Sequence, residues 1–530
     1  MQQLVSRRRV LRRLVPVLVA GASLGFVATA SADDYLVLYK GSSVPASARS
    51  DVQAAGGSLV AGYDQIGVAV ARSDAAGFAA RLGQDSRVEG VASTKGFASR
   101  LDDPAGSDGA SAQGPPPGGL PNAPATDADT FSGLQWDMRQ IHAPQAHAIT
   151  GGSPWVLVGD IDTGIDFNHP DLRQNIDVAN SANCVSGAPV AGKAAQDDNG
   201  HGTHTAGTIA AASNGIGVVG VAPNVRIAAI KAGNADGFFF PEAVVCSFVW
   251  AGMHHVDVTN NSYFADPYEY NCRNDPAQHA IWKAEQRAIR FAMDQGTTVV
   301  AAAGNDSDDL SHPTQDVTSP DDTTPQTRDI TNACVVVPVE IPGVIGVSAT
   351  GSRTQDTSAG QYPDNLKSFY SSFGVSAVDV AAPGGDSVFF TPDSVNGRVL
   401  STWPPNIPCA RSRQETGDVT EPTAVYCYQQ GTSMASPHVA GIAALVVSRY
   451  GDASSPQNGK LRPGQVNALI SQTADPQACP STLPGGYEAF TGVNSGAVQA
   501  CQGGPGHNSW YGTGQADALN AVTHASGAGG

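Results

Sequence analysis

Short apolar runs alternate with helical spacings along most of this chain, and the texture changes between two regions. From Asp34 onward a strand-like YLVLY precedes a helical stretch at 46–55. Strands in SLVAGYDQIGVAVA, a helix at 74–82 and a last strand around 88–92 follow. That β-α-β-β-α-β order predicts a small ferredoxin-like α+β domain. From about Phe131 to Ala525 the apolar runs are rich in Val and Ile, at 155–162, 225–231, 256–260, 297–303 and 344–349, with helical patterns at 203–212 and 276–295. Strands alternating with helices predict an α/β fold, a doubly wound parallel sheet with helices on both faces. In such sheets functional side chains gather at the carboxyl ends of strands, where Asp162 and Asn305 fall.

The flanks of these regions have other compositions. Residues 1–32 carry a basic stretch, SRRRVLRR, an apolar run at 14–27 and a small-x-small site at Ala30-Ser31-Ala32, which is the pattern of an export signal. The run is too short to predict a membrane anchor. The general secretory route is the expectation, although Ser6-Arg7-Arg8-Arg9-Val10-Leu11 also resembles a twin-arginine address. Residues 104–126, with GPPPGG and scattered Ser, Ala and Asp, have linker composition and are an easy place to cut. The expected organisation is therefore a signal at 1–32, a small domain at 33–103, a linker with a maturation site at 104–126 and a large domain at 127–530.

Charge and cysteine content narrow the partners. Net charge is -18, and because residues 1–32 hold five Arg and no acid, the remainder is more acidic still. Such a surface repels phosphate backbones, so no nucleic-acid partner is expected. All eight cysteines lie beyond residue 180, an even number that predicts disulfides in an exported chain. Nearness in sequence favours Cys409 with Cys427 and Cys479 with Cys501. No pair has C-x-x-C spacing, which argues against a zinc or redox motif.

The chemistry sits in four strings: DIDTGIDFNHPDL with Asp162, NGHGTHTAGT with His201, AAAGN ending on Asn305, and GTSMASPHVAG with Ser433. An acid, an imidazole and a hydroxyl are the parts that make a strong nucleophile from a weak one. Ser433 opens a helix in which Pro437 is expected to fall in the first turn. Unpaired N–H groups there, that of Ser433 included, point where an oxyanion forms, and Asn305 offers a second donor. The order acid, His, Ser separates this chain from α/β-hydrolases and chymotrypsin-like enzymes. With all four motifs in place, the chain resembles the subtilisin-like serine peptidases over about residues 131–525.

That resemblance implies an endopeptidase acting on polypeptide substrates, with Asp162, His201 and Ser433 as a triad and Asn305 in the oxyanion hole. It implies that the small domain is a propeptide, chaperone and inhibitor of its own enzyme, and that the mature protein is a secreted monomer. It further implies substrate contacts from Ser262, Tyr263, Phe264, Ala303 and Gly304. A structural calcium ion is implied at Asp171, the Asn214 side chain and the carbonyls of Ala212, Ile216 and Val218, with Ser132 or Asp129 as a further ligand. One position departs from the pattern, since the family usually has Gly where this chain has Phe264; the ring is expected to narrow or reshape the P1 pocket. Insertions at 306–334 and 385–430 exceed the compact members. A silent binding protein and a metal-dependent hydrolase using His201 and His204 are the competing classes.

Overall fold

A computed structural model describes residues 32–94, 128–265, 268–319, 324, 326–352, 365–391, 394–415, 423–455, 460–484, 487 and 499–524. The export signal, the linker and its maturation site lie outside the described residues.

The small domain has the expected order: Asp33–Tyr39, helix Ala48–Ala54, Ser58–Tyr63, Val68–Ser73, helix Phe78–Leu82 and Val88–Ser93. Its four strands form an antiparallel sheet in which the first strand lies between the third and the fourth. The second helix is shorter than the apolar spacing predicts, because Gly77 adopts a left-handed φ of 75° and restarts the chain at Phe78. Both faces of this sheet are covered. Val37, Tyr39, Ala69 and Ala71 pack on the domain's own helices, while Leu36, Leu38, Val68 and Val70 face the large domain.

The large domain is built on eight strands. Six parallel strands run in the spatial order Val380–Pro383, Ile345–Thr350, Thr298–Ala302, Val258–Asn261, Leu157–Asp162 and Arg226–Lys231. Two short strands, Ala182–Asn183 and Val190–Ala191, close the far edge. The first long strand, Leu157–Asp162, lies between Arg226–Lys231 and Val258–Asn261. The chain thus winds outward in one direction and then returns in the other. That reversal makes a crevice at the carboxyl end of Leu157–Asp162.

Two apolar layers sandwich the sheet. On one side helix Thr432–Tyr450 buries Ala435, Val439, Ile442 and Leu445 against Val158, Val300 and Val347. On the other, helices Pro241–Met253 and Pro276–Asp294 lie between the sheet and the small domain, in a cluster that includes Leu36 and Val70. Polar contacts rim that junction. Arg287 donates to the carbonyls of Tyr39 (2.9 Å) and Ile66 (3.1 Å), Tyr63 Oη donates to Gly187 O at 2.6 Å, and Glu89 pairs with Lys283.

The second insertion folds as an arm. Val399–Trp403, Ser412–Glu415 and Ala424–Gln429 make a three-stranded antiparallel sheet leading straight into the Ser433 helix. Cys409–Cys427 and Cys479–Cys501 are paired as sequence proximity suggests, and the other two disulfides are Cys184–Cys246 and Cys272–Cys334.

Candidate active site

Asp162 ends the central strand, fully buried. Its Oδ1 accepts from Thr163 N at 2.7 Å and lies 2.8 Å from His201 Nδ1. His201 is the first residue of helix His201–Ala210, two positions earlier than the apolar spacing predicts. The earlier start comes from Asp197, whose carboxylate accepts from the amides of Asn199, Gly200 and Thr203 and so caps the helix from outside. Gly200 has φ 107°, and a Cβ there would meet the Trp403 ring at 2.4 Å. A Cβ on Gly202 would meet Gly164 O at 2.2 Å, so the DTG and HGT motifs interlock through two glycines. Thr163 Oγ1 completes the lock, accepting from Gly202 N at 2.9 Å and donating to Asp197 at 3.0 Å.

Ser433 is the second residue of its helix and only 2% exposed. The helix begins at Thr432, so Pro437 stands in its second turn, not the first. A proline there removes the amide that would bond to the carbonyl four residues back. That carbonyl belongs to Ser433, and it accepts instead from Ser262 Oγ at 2.9 Å. Ser433 Oγ in turn donates to Ser262 O at 3.3 Å.

Asn305 is held by its oxygen. Oδ1 accepts from Thr432 N at 2.9 Å and from Thr432 Oγ1 at 3.0 Å, while Gly304 N donates to that same hydroxyl at 3.1 Å. A Cβ built on Gly431 would lie 3.5 Å from Asn305 Nδ2 and 3.6 Å from Ser433 N. Asn305 Nδ2 and Ser433 N thus both lie within 3.6 Å of one point beside Gly431.

The strand that leaves Ser262 carries an aromatic wall. Tyr263 stacks on Phe239 at 4.4 Å between centroids and donates to Asn261 Oδ1 at 3.1 Å. Phe264 is 8% exposed and packs in the same apolar cluster. Across from it, Ala303 is buried and its amide donates to Val347 O at 2.9 Å.

A second polar centre surrounds Asp171. Its Oδ2 accepts from Val218 N at 3.0 Å and Tyr426 Oη at 3.1 Å, its backbone carbonyl accepts from Ala212 N at 2.8 Å, and its buried Oδ1 has no hydrogen-bond partner. Burial pushes its carboxyl well above the usual range, and the Asp129 and Glu415 charges add to this. Asp129 accepts from the amides of Asn214 and Gly215 at 3.0 Å each, whereas Asn214 Oδ1 takes the Ile216 amide at 3.1 Å. Ser132 is buried with an unpartnered hydroxyl. An orphaned carboxylate oxygen among acids and a carbonyl-rich loop fits a hard cation. Glu415, whose carboxylate takes Gly217 N at 2.6 Å, comes from the arm and carries no motif that sequence could reveal.

His204 faces elsewhere, its Nε2 3.0 Å from Cys427 O, and burial lowers its pKa to about 3. It is a neutral packing residue. Among the described residues, the one set of three His, Cys, Asp or Glu side chains close enough to share an ion is His142, Asp475 and Asp517, which contains neither His201 nor His204.

Comparison with known proteins places the fold in a family. The profile of the subtilase family matches residues 155–519. Subtilisin DY of Bacillus licheniformis is 34% identical over 330 residues, covering 62% of this chain and 86% of that protein. Subtilisin BL of Lederbergia lenta is 31% identical over 315 residues, covering 59% and 84%. Among solved structures, the epidermin leader peptide processing serine protease of Staphylococcus aureus aligns with a TM-score of 0.62 at 20% identity, covering 94% of this chain and 100% of that one. Fervidolysin of Fervidobacterium pennivorans aligns at 0.58 and 21% identity, covering 93% and 61%. The small antiparallel domain and the doubly wound sheet are thus a known combination, and the chain belongs to the subtilase family of subtilisin-like serine proteases.

Proposed function

We propose that this protein is a secreted endopeptidase, made as a zymogen, in which Asp162, His201 and Ser433 form the triad. The observation that carries the reading is the Asp162–His201 contact at 2.8 Å, and the nearness of Asn305 Nδ2 and Ser433 N to one point beside Gly431 supports it. Ser433 Oγ turns from the Ser262 carbonyl and attacks the peptide carbonyl carbon, and His201 Nε2 takes the hydroxyl proton. Asp162 holds the other ring nitrogen and stabilises the imidazolium. The negative charge that develops on the peptide oxygen is met by Asn305 Nδ2 and Ser433 N–H. His201 then returns its proton to the leaving amine, and water hydrolyses the ester by the same route reversed.

Polypeptide substrates lie along Ser262–Phe264 on one side and Ala303–Gly304 on the other, with Phe264 narrowing or reshaping the pocket for the residue before the cleaved bond. The small domain, seated on helices Pro241–Met253 and Pro276–Asp294, serves as chaperone and inhibitor until the linker is cut. Calcium at Asp171, Asn214, the carbonyls of Ala212, Ile216 and Val218, and Asp129 would fix the loop that follows the His201 helix. Asp129 is the better further ligand than Ser132, because its carboxylate already reaches that loop.

A serine-directed fluorophosphonate tests the reading. The matured protein is expected to label at Ser433, and Ser433→Ala to abolish labelling and to accumulate precursor retaining residues 33 to about 126. Absence of labelling in matured wild type refutes the triad; normal processing of Ser433→Ala in a protease-free preparation refutes self-maturation.

A further inference from the structure

Asp160 stands two residues before Asp162 on the same strand, so the two carboxyls share one face of the sheet. It is fully buried. Its two hydrogen-bond partners come from the His201 helix and from the strand that leads into Ser262. Thr205, one turn beyond His201 on the same helix, lies with Oγ1 2.9 Å from Asp160 Oδ2. Asn260, on the strand that continues into Ser262, donates Nδ2 to Asp160 Oδ1 at 2.9 Å and reaches Ser262 Oγ at 3.1 Å. Ser436, three residues after Ser433, donates to Asn260 Oδ1 at 2.7 Å. Asp160 is thereby connected to the elements of Asp162, His201 and Ser433 by a buried chain of short bonds.

The charge environment is one-sided. The charges that act most on Asp160 are those of Asp162 and Asp197, both acids, and its hydrogen-bond partners are the neutral Asn260 and Thr205. Burial, and then the Asp162 charge, favour the protonated form, against the Asn260 and Thr205 hydrogen bonds, which favour the ionised one. Hydrogen accounting allows that form in full. A proton on Oδ2 donates to Thr205 Oγ1, and the Thr205 hydroxyl then donates to Gly202 O, 3.1 Å away. Oδ1 remains the acceptor for Asn260. Every polar atom of the acid is then used, whereas a carboxylate here would be a second buried anion with no cation to balance it.

We propose that Asp160 is a positioning residue, held as a neutral carboxylic acid, that locks the Asp162 strand, the His201 helix and the Ser433 helix into the spacing the triad needs. The proposal rests on the triad reading. Asp160 touches neither substrate nor the reacting atoms; it acts through Thr205 and Asn260. Keeping it neutral also spares Asp162 the repulsion of a neighbouring charge, so that one anion, not two, faces the imidazole.

The test uses secreted, processed enzyme, with rates normalised to sites titrated by fluorophosphonate. Asp160→Ala is expected to lower kcat by about 10- to 100-fold, the scale of a small misplacement of reacting groups, with KM changed less than about threefold. Asp160→Asn reproduces the donor and acceptor of the neutral acid. It is expected to recover most of the lost kcat, and the acid limb of its kcat/KM profile is expected to coincide with that of wild type.

An unaltered kcat in Asp160→Ala overturns the positioning role. An acid limb in Asp160→Asn lowered by about one pH unit overturns neutrality, since removing a real anion would weaken the imidazolium by roughly that amount. If Asp160→Ala yields no folded enzyme, Thr205→Val carries the test, because it keeps side-chain volume and deletes one hydroxyl. A drop of about tenfold in kcat supports the link, and none overturns it. Wild type that fails to label at Ser433 would sink the triad itself, a result separate from any of these.

Discussion

Ser262 and Ser433 exchange two hydrogen bonds, hydroxyl to carbonyl in each direction, at 2.9 and 3.3 Å. Pro437 makes the exchange possible by leaving the Ser433 carbonyl without its helical partner. The proline that looks like a helix defect thus frees the carbonyl that ties the Ser433 helix to Ser262. Ser262→Ala should strand a buried carbonyl and cost about 1–2 kcal/mol. It should also loosen the nucleophile, lowering kcat several-fold more than it raises KM. Unfolding of an inhibitor-blocked enzyme together with steady-state kinetics checks both, and equal stability would show that another donor replaces the hydroxyl.

Asn305 has two tasks at its two ends. Its oxygen fixes the start of the Ser433 helix through Thr432, and under the proposed mechanism its nitrogen donates to the oxyanion. Asn305→Leu should therefore lower kcat by about 10²–10³ with KM nearly unchanged, a magnitude taken over from subtilisin, the family's own case. Asn305→Asp keeps the size and an oxygen for Thr432 but replaces the donor with a charge, and should be no more active than the leucine variant. Active-site-normalised kinetics on a peptide ester and a peptide amide would reveal a purely structural role as a loss of titratable sites without a loss of kcat.

The motifs were legible because each sets particular residue types at short range, as the adjacent Asp162, Thr163 and Gly164 do. The parallel sheet was legible for a related reason: strands buried on both faces are continuous apolar runs. What stayed hidden depends on distant chain segments. Nothing near Glu415 marks it as a neighbour of the Gly217 loop, and the arm that carries it reads as mere insertion. Helix starts moved where a cap lay outside the apolar pattern, as Asp197 does for His201. Asp160 reads as one more residue of an apolar strand until Thr205 and Asn260 are placed beside it.

The junction between the two domains buries Glu242, which stands in the first turn of its helix among Asp34, Tyr63, Arg72 and Thr94 of the small domain and near Glu285. Burial, with the Asp34 charge, pushes its carboxyl up to about 8, against the opposing pull of its own amide, the Thr94 hydroxyl and Arg72. Once the small domain leaves, the carboxyl is exposed and returns toward its ordinary value of 4.5. Below that value both states hold the proton and pH has no leverage. Between it and about 8 the docked state holds a proton that the released state gives up, so docking weakens as pH rises and levels off above 8. Activity should therefore emerge from processed but still-docked enzyme faster at pH 8 than at pH 6, and Glu242→Gln should flatten that dependence. Equal pH dependence in the variant would assign the effect to another group.

Under the proposed calcium site at Asp171, protection by the ion should depend on pH, because the ion and a proton would compete for one carboxylate. Asp171 is pushed well up by burial when no ion is bound, and its Oδ1 is the oxygen left without a hydrogen bond. Raising pH removes the competing proton, so apparent calcium affinity should rise with pH until Asp171 is fully ionised. At a calcium concentration 100-fold above Kd the native state gains about 2.7 kcal/mol, which a chelator removes. Asp171→Asn keeps an oxygen for Val218 or Tyr426 but loses the charge, and its Tm should be nearly indifferent to calcium and chelator alike. Thermal unfolding of the Ser433→Ala precursor avoids self-digestion in this comparison. A wild-type Tm that ignores calcium at every pH from 6 to 9 would remove the ion from the Asp171 centre.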